Sequence, residues 1–237
     1  MTTTQQGRLP AREVRAMFDR IAPRYDLMNR LMSGGLDRRW RRLAAATADV
    51  SLGSRALDVC TGTGDLAFEL ARRVGASGAV IGVDFSEQML ERAREKNVAR
   101  GSSVDFQQAD ALELPFPDDA FDAATVAFGA RNLADLDRGL AEMARVVRPG
   151  GTVVVLDITT PRRLRALHGL WFDRLVPRVG ALVGRDGAAY GYLPASAKRF
   201  PQPEALAELM TDAGLGDVRH RSFLGGIVAM HHGRVTR

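Results

Sequence analysis

Apolar positions follow two different periods along this chain of 237 residues. Before residue 50 they recur at helical spacing. Between residues 51 and 160, short apolar runs alternate with amphipathic helical segments. A short apolar run bounded by turn residues indicates a buried strand, and the alternation of such strands with helices is typical of a parallel sheet. The pattern therefore predicts an α/β fold, a doubly wound and mostly parallel sheet preceded by a helical segment.

Turn residues and apolar spacing place the predicted elements. Helices are expected at Pro10–Ile21, around Arg24–Ser33 and at Asp37–Ala48, the last capped by Asp37. The predicted parallel strands are Ala56–Val59, Ala79–Val83, Val104–Gln107, Phe121–Ala127 and Thr152–Leu156. The helices between them are Gly64–Val74, a Ser86-capped helix ending near Arg100, and Asp135–Val147.

The pattern changes after Asp157. A helix with an apolar stripe and several arginines is expected over Pro161–Gly184. Pro203–Ala213 predicts another helix, and Asp217–Leu224 with Ile227–His231 predicts a closing antiparallel pair. We interpret the chain as one domain of seven strands, consisting of a helical cap (1–50), a cofactor-binding core (51–160), a helical lid (161–202) and a C-terminal helix with two strands (203–237).

A glycine turn follows the first predicted strand, in the sequence RALDVCTGTGDLA of residues 55–67. Glycines allow a ligand to approach the backbone, and the helix that starts at Asp65 offers free N–H groups. Asp58, Gly62 and Gly64 are therefore candidate cofactor-binding residues. Gly62, Gly64 and Ala67 also fit the dinucleotide fingerprint, with Asp84 near its acidic position. NAD and S-adenosylmethionine thus both remain open at this point, beside an ordinary glycine turn.

Two acidic residues extend this site along the sheet. Asp84 ends the second strand and can accept two hydrogen bonds from a ribose with both hydroxyls free. Asp110 and Ala111 follow the third strand and can frame an adenine. Ligands of doubly wound sheets lie at the carboxyl ends of the strands, where these residues and the segment from Phe128 to Asn132 are expected to meet.

Charge is unevenly distributed. Residues 1–50 carry ten basic and five acidic side chains (net +5), residues 51–160 carry 11 and 17 (net −6), and residues 161–237 carry 12 and six (net +6). Basic flanks can contact phosphate, in RNA or in anionic lipid, or can simply form a solvated surface. The single cysteine, Cys60, excludes an internal disulfide and suits a cytoplasmic protein. No signal peptide or membrane-spanning apolar run is evident.

Several motifs resemble one enzyme family. LPFPDDAFD followed by a strand, a helix and RPGG resembles class I methyltransferases. FDRIAPRYDLMNRLMSGGLDRRW, LDVCTGTGDLA and FGARN narrow the resemblance to the C-methyltransferases of menaquinone and ubiquinone biosynthesis, over Val14 to His231. The resemblance implies S-adenosylmethionine as cofactor, with contacts at Thr63, Asp84, Asp110 and Ala111.

The chemistry that the resemblance implies is methylation of a ring carbon of a prenylated quinol. The substrate would be demethylmenaquinol, in the last step of menaquinone biosynthesis, or a polyprenyl methoxybenzoquinol of the ubiquinone route. A quinol carbon beside a hydroxyl is itself the nucleophile, so Cys60 is expected to serve packing. The candidate catalytic residues are Arg131, to stabilise the quinolate oxygen, with Asn132 and Tyr25, to hold a water. Alternatively, Arg131 pairs with an acid such as Asp26.

Three positions depart from the expected motifs. Cys60 replaces the usual first glycine of the turn, although a small residue is common in the family. Asp37 stands where the family often has His, and Ala127 where some relatives have Ser. The four histidines show no metal-ligand spacing, so no metal site is expected.

The fourth strand ends in AFGARN and lacks the N/D-P-P-Y segment of amino-methylating enzymes, so no nucleic-acid partner is expected. A non-catalytic cofactor-binding protein at a membrane surface stays open as another class. The helix at Pro161–Gly184 either packs against the core or forms a lid that would contact the prenyl tail or the inner face of the cytoplasmic membrane, and homodimerisation stays open.

Overall fold

The computed structural model describes residues 10–161 and 187–237. Seven strands form one sheet in the order β3-β2-β1-β4-β5-β7-β6. Strands β1 to β5 run parallel, and β7 pairs antiparallel with both β5 and β6. The strands are β1 Arg55–Val59, β2 Ala79–Asp84, β3 Asp105–Gln108, β4 Phe121–Ala127, β5 Val147–Ile158, β6 Leu215–Phe223 and β7 Val228–Val235. This topology confirms the predicted doubly wound, mostly parallel fold.

Helices cover both faces of the sheet, as a buried parallel sheet requires. The helices of the described residues are α1 Ala11–Ile21, α2 Tyr25–Ser33, α3 Leu36–Thr47, α4 Asp65–Val74, α5 Glu87–Arg100, α6 Leu136–Val146, α7 Gly187–Arg199 and α8 Pro203–Asp212. One apolar core joins the sheet to α6 and α8. A second joins it to α3, α4 and α5, so α3 belongs to the main body of the domain.

The first two helices form a cap over the carboxyl ends of the strands. Val14 and Met17 of α1 are buried in a small cluster that includes Phe85 of the β2–α5 loop. Asp19 of α1 accepts a hydrogen bond of 2.5 Å from the Ser86 hydroxyl. Ser86 in turn accepts the Met89 backbone N–H at 3.2 Å, which confirms the predicted cap of α5. The cap is therefore held directly against the edge where ligands of this fold bind.

Some predicted details were wrong or lie outside the described residues. Asp37 does not cap α3, because Gly35 is the N-cap residue and makes no side-chain cap bond. β5 begins at Val147 rather than Thr152, since Val147 already pairs with Phe121 before a register shift. Of the predicted helix Pro161–Gly184, only Pro161 is described, whereas α7 was not predicted. Among the described residues, none of the helices has the length and hydropathy of a membrane span.

Candidate active site

Two cavities open at the carboxyl ends of the parallel strands. The first has a volume of about 410 Å³, and the second about 390 Å³. Phe128, directly after β4, lines both and forms their boundary. The first cavity is lined from every strand end that the sequence singled out, by Cys60, Gly62, Asp84, Asp110, Ala111, Ala127, Gly129 and Asn132, and from the cap by Tyr25 and Phe18. The structure thus brings most of the predicted site residues together.

The glycine turn provides an open floor for the first cavity. Gly62 and Gly64 have φ angles of +56° and +82°, which L-residues adopt only with strain. A Cβ atom at Gly64 would lie 2.7 Å from the ring of Phe106. At Gly62 it would occupy the space facing Tyr25, at 3.8 Å from that ring. Gly64 therefore permits the packing under the turn, and Gly62 keeps space for a ligand beneath Tyr25.

Asp84 is held in place by backbone donors. Its Oδ2 accepts the N–H of Gly62 at 2.8 Å, and its Oδ1 accepts the N–H of Ser86 at 3.0 Å. Burial raises the pKa of Asp84 to about 6, although these backbone donors oppose the shift. A carboxylate offers about four acceptor positions, so Asp84 keeps acceptor capacity for a ribose hydroxyl beyond its backbone donors. This geometry fits a ribose diol.

Asp58, on β1, stabilises the glycine turn through side-chain hydrogen bonds. Its carboxylate accepts the hydroxyls of Thr61 at 2.6 Å and Thr125 at 2.8 Å, which joins the turn to β4. Burial raises the pKa of Asp58 to about 6, against these two hydrogen bonds. Asp58 lines a small neighbouring cavity of about 20 Å³ rather than the first cavity. Its position is that of a residue that shapes the turn.

Thr63 faces an ionic network instead of the first cavity. Its hydroxyl donates to Asp26 at 2.6 Å and accepts from Lys96 at 3.1 Å. Lys96 also binds Asp26 at 2.9 Å and Asp65 at 2.6 Å. This network fastens α2 to the glycine turn and to α5. Thr63 is thus placed to orient the turn, and any ligand contact it makes would come from its backbone.

The third strand contributes the far wall of the first cavity. Asp110 is exposed, and its Oδ1 accepts the N–H of Leu112 at 2.9 Å, while Ala111 is buried beside it. Both residues line the cavity. A carboxylate next to a small apolar residue suits the exocyclic amine and the face of an adenine.

Tyr25 begins α2 and reaches toward both cavities. Its ring lines the first cavity, and its side chain hydrogen-bonds Asn29, which lines the second. Burial raises the pKa of Tyr25, an effect that the nearby Arg41 and Arg131 oppose. The side chain is therefore a neutral phenol at physiological pH, able to donate one hydrogen bond and accept another.

Arg131 is paired, but with a different acid from the one considered above. Its Nη1 lies 2.6 Å from Oδ1 of Asp157 and donates to the carbonyl of Phe128 at 2.5 Å. The expectation of Asp26 as partner was wrong, because Asp26 is engaged by Lys96 and Thr63. Arg131 still lines the second cavity, and its Nε is buried without a hydrogen-bond partner.

Asn132 carries a buried acceptor without a partner at the first cavity. Its Oδ1 is buried without a partner, and the residue lines the first cavity. A buried amide oxygen without a donor is costly, so it signals a group that a ligand or water would satisfy. Together with the open lone pairs of Asp84 and the glycine floor, this atom shows that the residues present fit a polar cofactor.

Phe128 is held in an unusual conformation at the boundary of the cavities. Its φ angle is +61°, in the left-handed region, and its N–H donates to the carbonyl of Leu156 at 2.7 Å. The guanidinium of Arg41 lies 5.1 Å from its ring centroid, and the ring of Trp40 lies 6.3 Å away. Strained residues of this kind persist where the surroundings fix them, often at functional sites.

The second cavity is apolar with a charged end. Its wall is formed by α2, α3, the end of β5 and the β6–β7 turn, through Met32, Trp40, Phe128, Ile158, Leu224, Ile227 and Val228. The charged end consists of Asp37 and Arg41, whose Oδ2 and Nη1 lie 2.5 Å apart, and of Arg131. Sequence reasoning assigned no role to Trp40 or Arg41. The (i, i+4) spacing of Asp37 and Arg41 is the signal that indicates their pairing.

The surroundings of Cys60 and His231 fit packing roles rather than chemistry. Burial, followed by the neighbouring carboxylates, raises the pKa of Cys60 well above its usual value, so it stays a thiol. This fits its expected packing role. His231 is buried with Nε2 2.9 Å from the carbonyl of Pro203. Within the described residues, no cluster of three or more potential metal ligands occurs.

The sequence of this chain is similar to those of known enzymes. Residues 3–235 match the model of the ubiE/COQ5 methyltransferase family. The demethylmenaquinone methyltransferase of Deinococcus radiodurans is 49% identical over 219 residues, which cover 92% of this chain and 90% of that protein. The ubiquinone/menaquinone biosynthesis C-methyltransferase UbiE of Geobacter sulfurreducens is 45% identical over 93% of this chain and 87% of its own.

Solved structures agree in fold. A SAM-dependent methyltransferase from Aquifex aeolicus superimposes with a TM-score of 0.63 at 20% identity, over 89% of this chain and 98% of its own. The match over nearly the whole chain confirms the predicted S-adenosylmethionine-dependent methyltransferase and excludes the NAD-dependent alternative. The chain belongs to the ubiE/COQ5 methyltransferase family.

Proposed function

We propose that this enzyme methylates a ring carbon of demethylmenaquinol to give menaquinol. The observation that carries the proposal is the apolar second cavity, which has charged groups at one end and meets the first cavity at Phe128. Such a cavity suits an aromatic ring with hydroxyl groups. The names of similar proteins from Deinococcus radiodurans, Desulfitobacterium hafniense and Thermus thermophilus, all called demethylmenaquinone methyltransferase, support the same substrate.

In this proposal the first cavity holds S-adenosyl-L-methionine, which supplies an electrophilic methyl group when bound. Asp84 accepts the ribose hydroxyls, and Asp110 with Ala111 frames the adenine. Gly62 and Gly64 leave the backbone accessible, Asp58 keeps the turn in shape, and Thr63 fixes it to the cap. Gly62, Asp84, Asp110 and Ala111 line one cavity of suitable size, and the hydrogen bonds of Asp58 and Thr63 fix the turn beside it, which supports these roles.

The acceptor ring needs little from the protein beyond position and charge stabilisation. The ring carbon beside a hydroxyl gains electron density as that hydroxyl loses its proton, so no enzyme nucleophile is required. Arg131 lines the second cavity and would stabilise negative charge on the substrate oxygen. Asn132 and the neutral Tyr25 lie at the neighbouring cavity and would hold a water or the ring in line with the methyl group.

A second substrate is supported by other relatives. Similar proteins from Geobacter species and Cellvibrio japonicus carry the name ubiquinone/menaquinone biosynthesis C-methyltransferase. A polyprenyl methoxybenzoquinol would fit the same charged end. Mass spectrometry of quinones from cells lacking this enzyme separates the two. We expect a naphthoquinone one methylene lighter than menaquinone to accumulate, whereas accumulation of only a benzoquinone would contradict the preferred substrate.

Replacing Asp84 by alanine should weaken S-adenosylmethionine binding about ten- to a hundredfold. The reason is the loss of a charge-assisted acceptor for the ribose, worth about 1.5–3 kcal/mol. Isothermal titration calorimetry measures the effect. Asp105→Ala, an exposed acid at the start of β3 outside both cavities, is the matched control and should bind normally. Equal affinities for both variants would contradict the ribose role.

Cofactor affinity should also depend on pH through Asp84. Its raised pKa, about 6, means that the carboxylate is charged above that pH and protonated below it. Because only the charged form offers both oxygens as acceptors, affinity should be highest above pH 6 and fall as pH decreases through that value. Asp84→Asn should flatten this dependence between pH 5 and 7, as measured by calorimetry. An unchanged slope in the variant would assign the dependence to another group.

The prenyl chain of the proposed substrate suggests contact with the membrane surface. Leu27 and Leu31 lie four residues apart on α2 and are each 48% exposed, and Leu224, beside the second cavity, is 49% exposed. Both flanking segments of the sequence are basic. We propose that these exposed leucines contact anionic lipid while the second cavity admits the quinol ring. The lid proposed at Pro161–Gly184 lies outside the described residues, apart from Pro161.

Replacing Leu27 and Leu31 together by serine should lower binding to phosphatidylglycerol vesicles about tenfold, because two half-exposed leucines lose their contact with lipid. Vesicle sedimentation measures this, and added salt should weaken wild-type binding. Leu52→Ser with Val98→Ser is the matched control, since these side chains are 77% and 83% exposed outside both cavities. Equal losses for both pairs would contradict a defined membrane face.

A further inference from the structure

Asp37 stands out in the second cavity because it is the only acidic residue that lines it within the described part of the chain. The residue is 6% exposed, on the first turn of α3. Its sequence position suggested a helix cap, but the structure gives that position to Gly35. The buried carboxylate at the charged end of this cavity therefore lacks the capping role that its sequence position suggested.

A contribution to stability does not explain the burial of the Asp37 carboxylate either. Asp37 pairs with Arg41, also buried, at 2.5 Å, and accepts the hydroxyl of Ser33 at 2.9 Å. Bringing an ion pair out of water costs about as much as the pair returns, so a buried pair is weak evidence of a stabilising role. A carboxylate offers about four acceptor positions, and these two bonds leave others open toward the cavity.

The surroundings of Asp37 place it beside the acceptor ring. Arg41 lies over the ring of Phe128, the residue shared by the two cavities. A quinol ring in the second cavity would therefore lie beside the Asp37–Arg41 pair, in the cavity that meets the methyl-donor cavity at Phe128. Among the described residues, the other charged or titratable groups that face this space are Arg131, which is paired with Asp157, and Tyr25, reached through Asn29.

We infer that Asp37 accepts the proton of the quinol hydroxyl during methyl transfer, a conclusion that rests on the proposed function. As the ring carbon bonds to the methyl carbon, the methyl–sulfur bond breaks and its electron pair stays on sulfur. The O–H electron pair then completes a carbonyl on the ring, and the proton moves to Asp37. The proton on the methylated carbon leaves to water, the oxygen regains the proton from Asp37, and one proton is released for each methyl group transferred.

A carboxylate is a sufficient base for this step. A phenolic hydroxyl is a weak acid in the free quinol, but it becomes strongly acidic as the ring carbon loses electron density to the new bond. General base catalysis then operates in the transition state and does not require the hydroxyl to be ionised beforehand. Arg41 and Arg131 would stabilise the oxygen as its charge changes.

The test compares Asp37→Asn with Asp37→His. With demethylmenaquinol at neutral pH, Asp37→Asn should lower kcat about a hundredfold, the usual size of a general-base effect. Its rate should recover as the pH rises toward the ionisation of the hydroxyl itself. Asp37→His breaks the ion pair but supplies another proton acceptor, so it should retain kcat within about tenfold of wild type. If Asp37→His lowers kcat as much as Asp37→Asn does, the effect comes from loss of the ion pair with Arg41, and the inference is overturned.

A binding measurement without turnover distinguishes an effect on proton acceptance from effects on folding or on cofactor binding. A prenylated naphthol becomes a strong acid in its excited state and emits as naphtholate only when a nearby group takes its proton. Bound to the wild-type protein and to Asp37→His, it should show naphtholate emission, whereas Asp37→Asn should show the neutral band with similar affinity. Naphtholate emission of equal strength in Asp37→Asn would overturn the inference.

Asp122→Asn is the matched control, because Asp122 pairs with Arg148 at 2.7 Å outside both cavities and should leave both signals unchanged. Assays below the melting temperature of each variant exclude unfolding as the cause. If wild type methylates demethylmenaquinol and Asp37→Asn does so equally well, the inference fails while the proposed function stands. If wild type does not methylate this quinol, the proposed function itself fails.

Discussion

Arg131→Ala should lower the free energy of unfolding by about 3 kcal/mol. It leaves Asp157, whose side chain is 1% exposed, without its cation. Two backbone donors remain on this carboxylate, the N–H groups of Arg131 and Ile158, at 3.1 and 2.7 Å. They place the expected loss at the lower end of the range for broken buried ion pairs. Urea unfolding followed by circular dichroism measures it.

Arg148→Ala is the matched control for this prediction. Arg148 pairs with Asp122 at a similar distance but is 54% exposed, so its loss should cost less than about 1 kcal/mol. A loss for Arg131→Ala as small as for Arg148→Ala would contradict a structural role of the Arg131–Asp157 pair.

Arg131→Lys separates structure from catalysis. The lysine keeps a charge near Asp157 but loses the planar guanidinium, whose Nη1 donates to both Asp157 and the Phe128 carbonyl. We expect a stable protein in which kcat falls at least about tenfold while cofactor affinity is unchanged. A stable Arg131→Lys protein with normal kcat would make Arg131 a clamp that fixes the loop after β4.

Trp40→Ala should lower the free energy of unfolding by about 3–5 kcal/mol, the usual cost of removing a buried aromatic side chain. Trp40 is 6% exposed, and its ring centroid lies 6.3 Å from that of Phe128 and 6.4 Å from that of Phe223. In a chain of this length the melting temperature should fall by about 10 °C, as measured by calorimetry.

The control variants for Trp40 test whether packing is the cause. Trp40→Phe keeps an aromatic ring against Phe128 and should lose less than half as much stability. Leu52→Ala, which removes a side chain that is 77% exposed, should lose almost none. A small loss for Trp40→Ala would show that the wall of the second cavity can close around the missing ring.

The residues at the ends of the parallel strands, and the local helix cap at Ser86, could be predicted from the sequence. Asp84, Asp110 and the loop after β4 meet because parallel strands place their carboxyl ends on one edge, and the alternating periods locate those strands along the chain. The Ser86 cap was predicted and confirmed because the capping bond is local.

Pairings between distant side chains could not be read from the sequence. Asp157 follows Arg131 by 26 residues, and Lys96 lies 70 residues from Asp26, so their pairing depends on how the elements pack. Asp37 was interpreted as a cap because the rule for helix starts considers only neighbours in sequence. Its burial in the second cavity follows from the packing of α3 on the sheet.

Methyl transfer by the purified enzyme tests the proposed function most directly. The protein is mixed with S-adenosylmethionine carrying a deuterated methyl group and, in separate reactions, with demethylmenaquinol and a polyprenyl methoxybenzoquinol. Mass spectrometry with fragmentation then locates the label. We expect a deuterated methyl group on a ring carbon, formed faster on the naphthoquinol. Label on an oxygen atom, or no label on either quinol, would contradict the proposal.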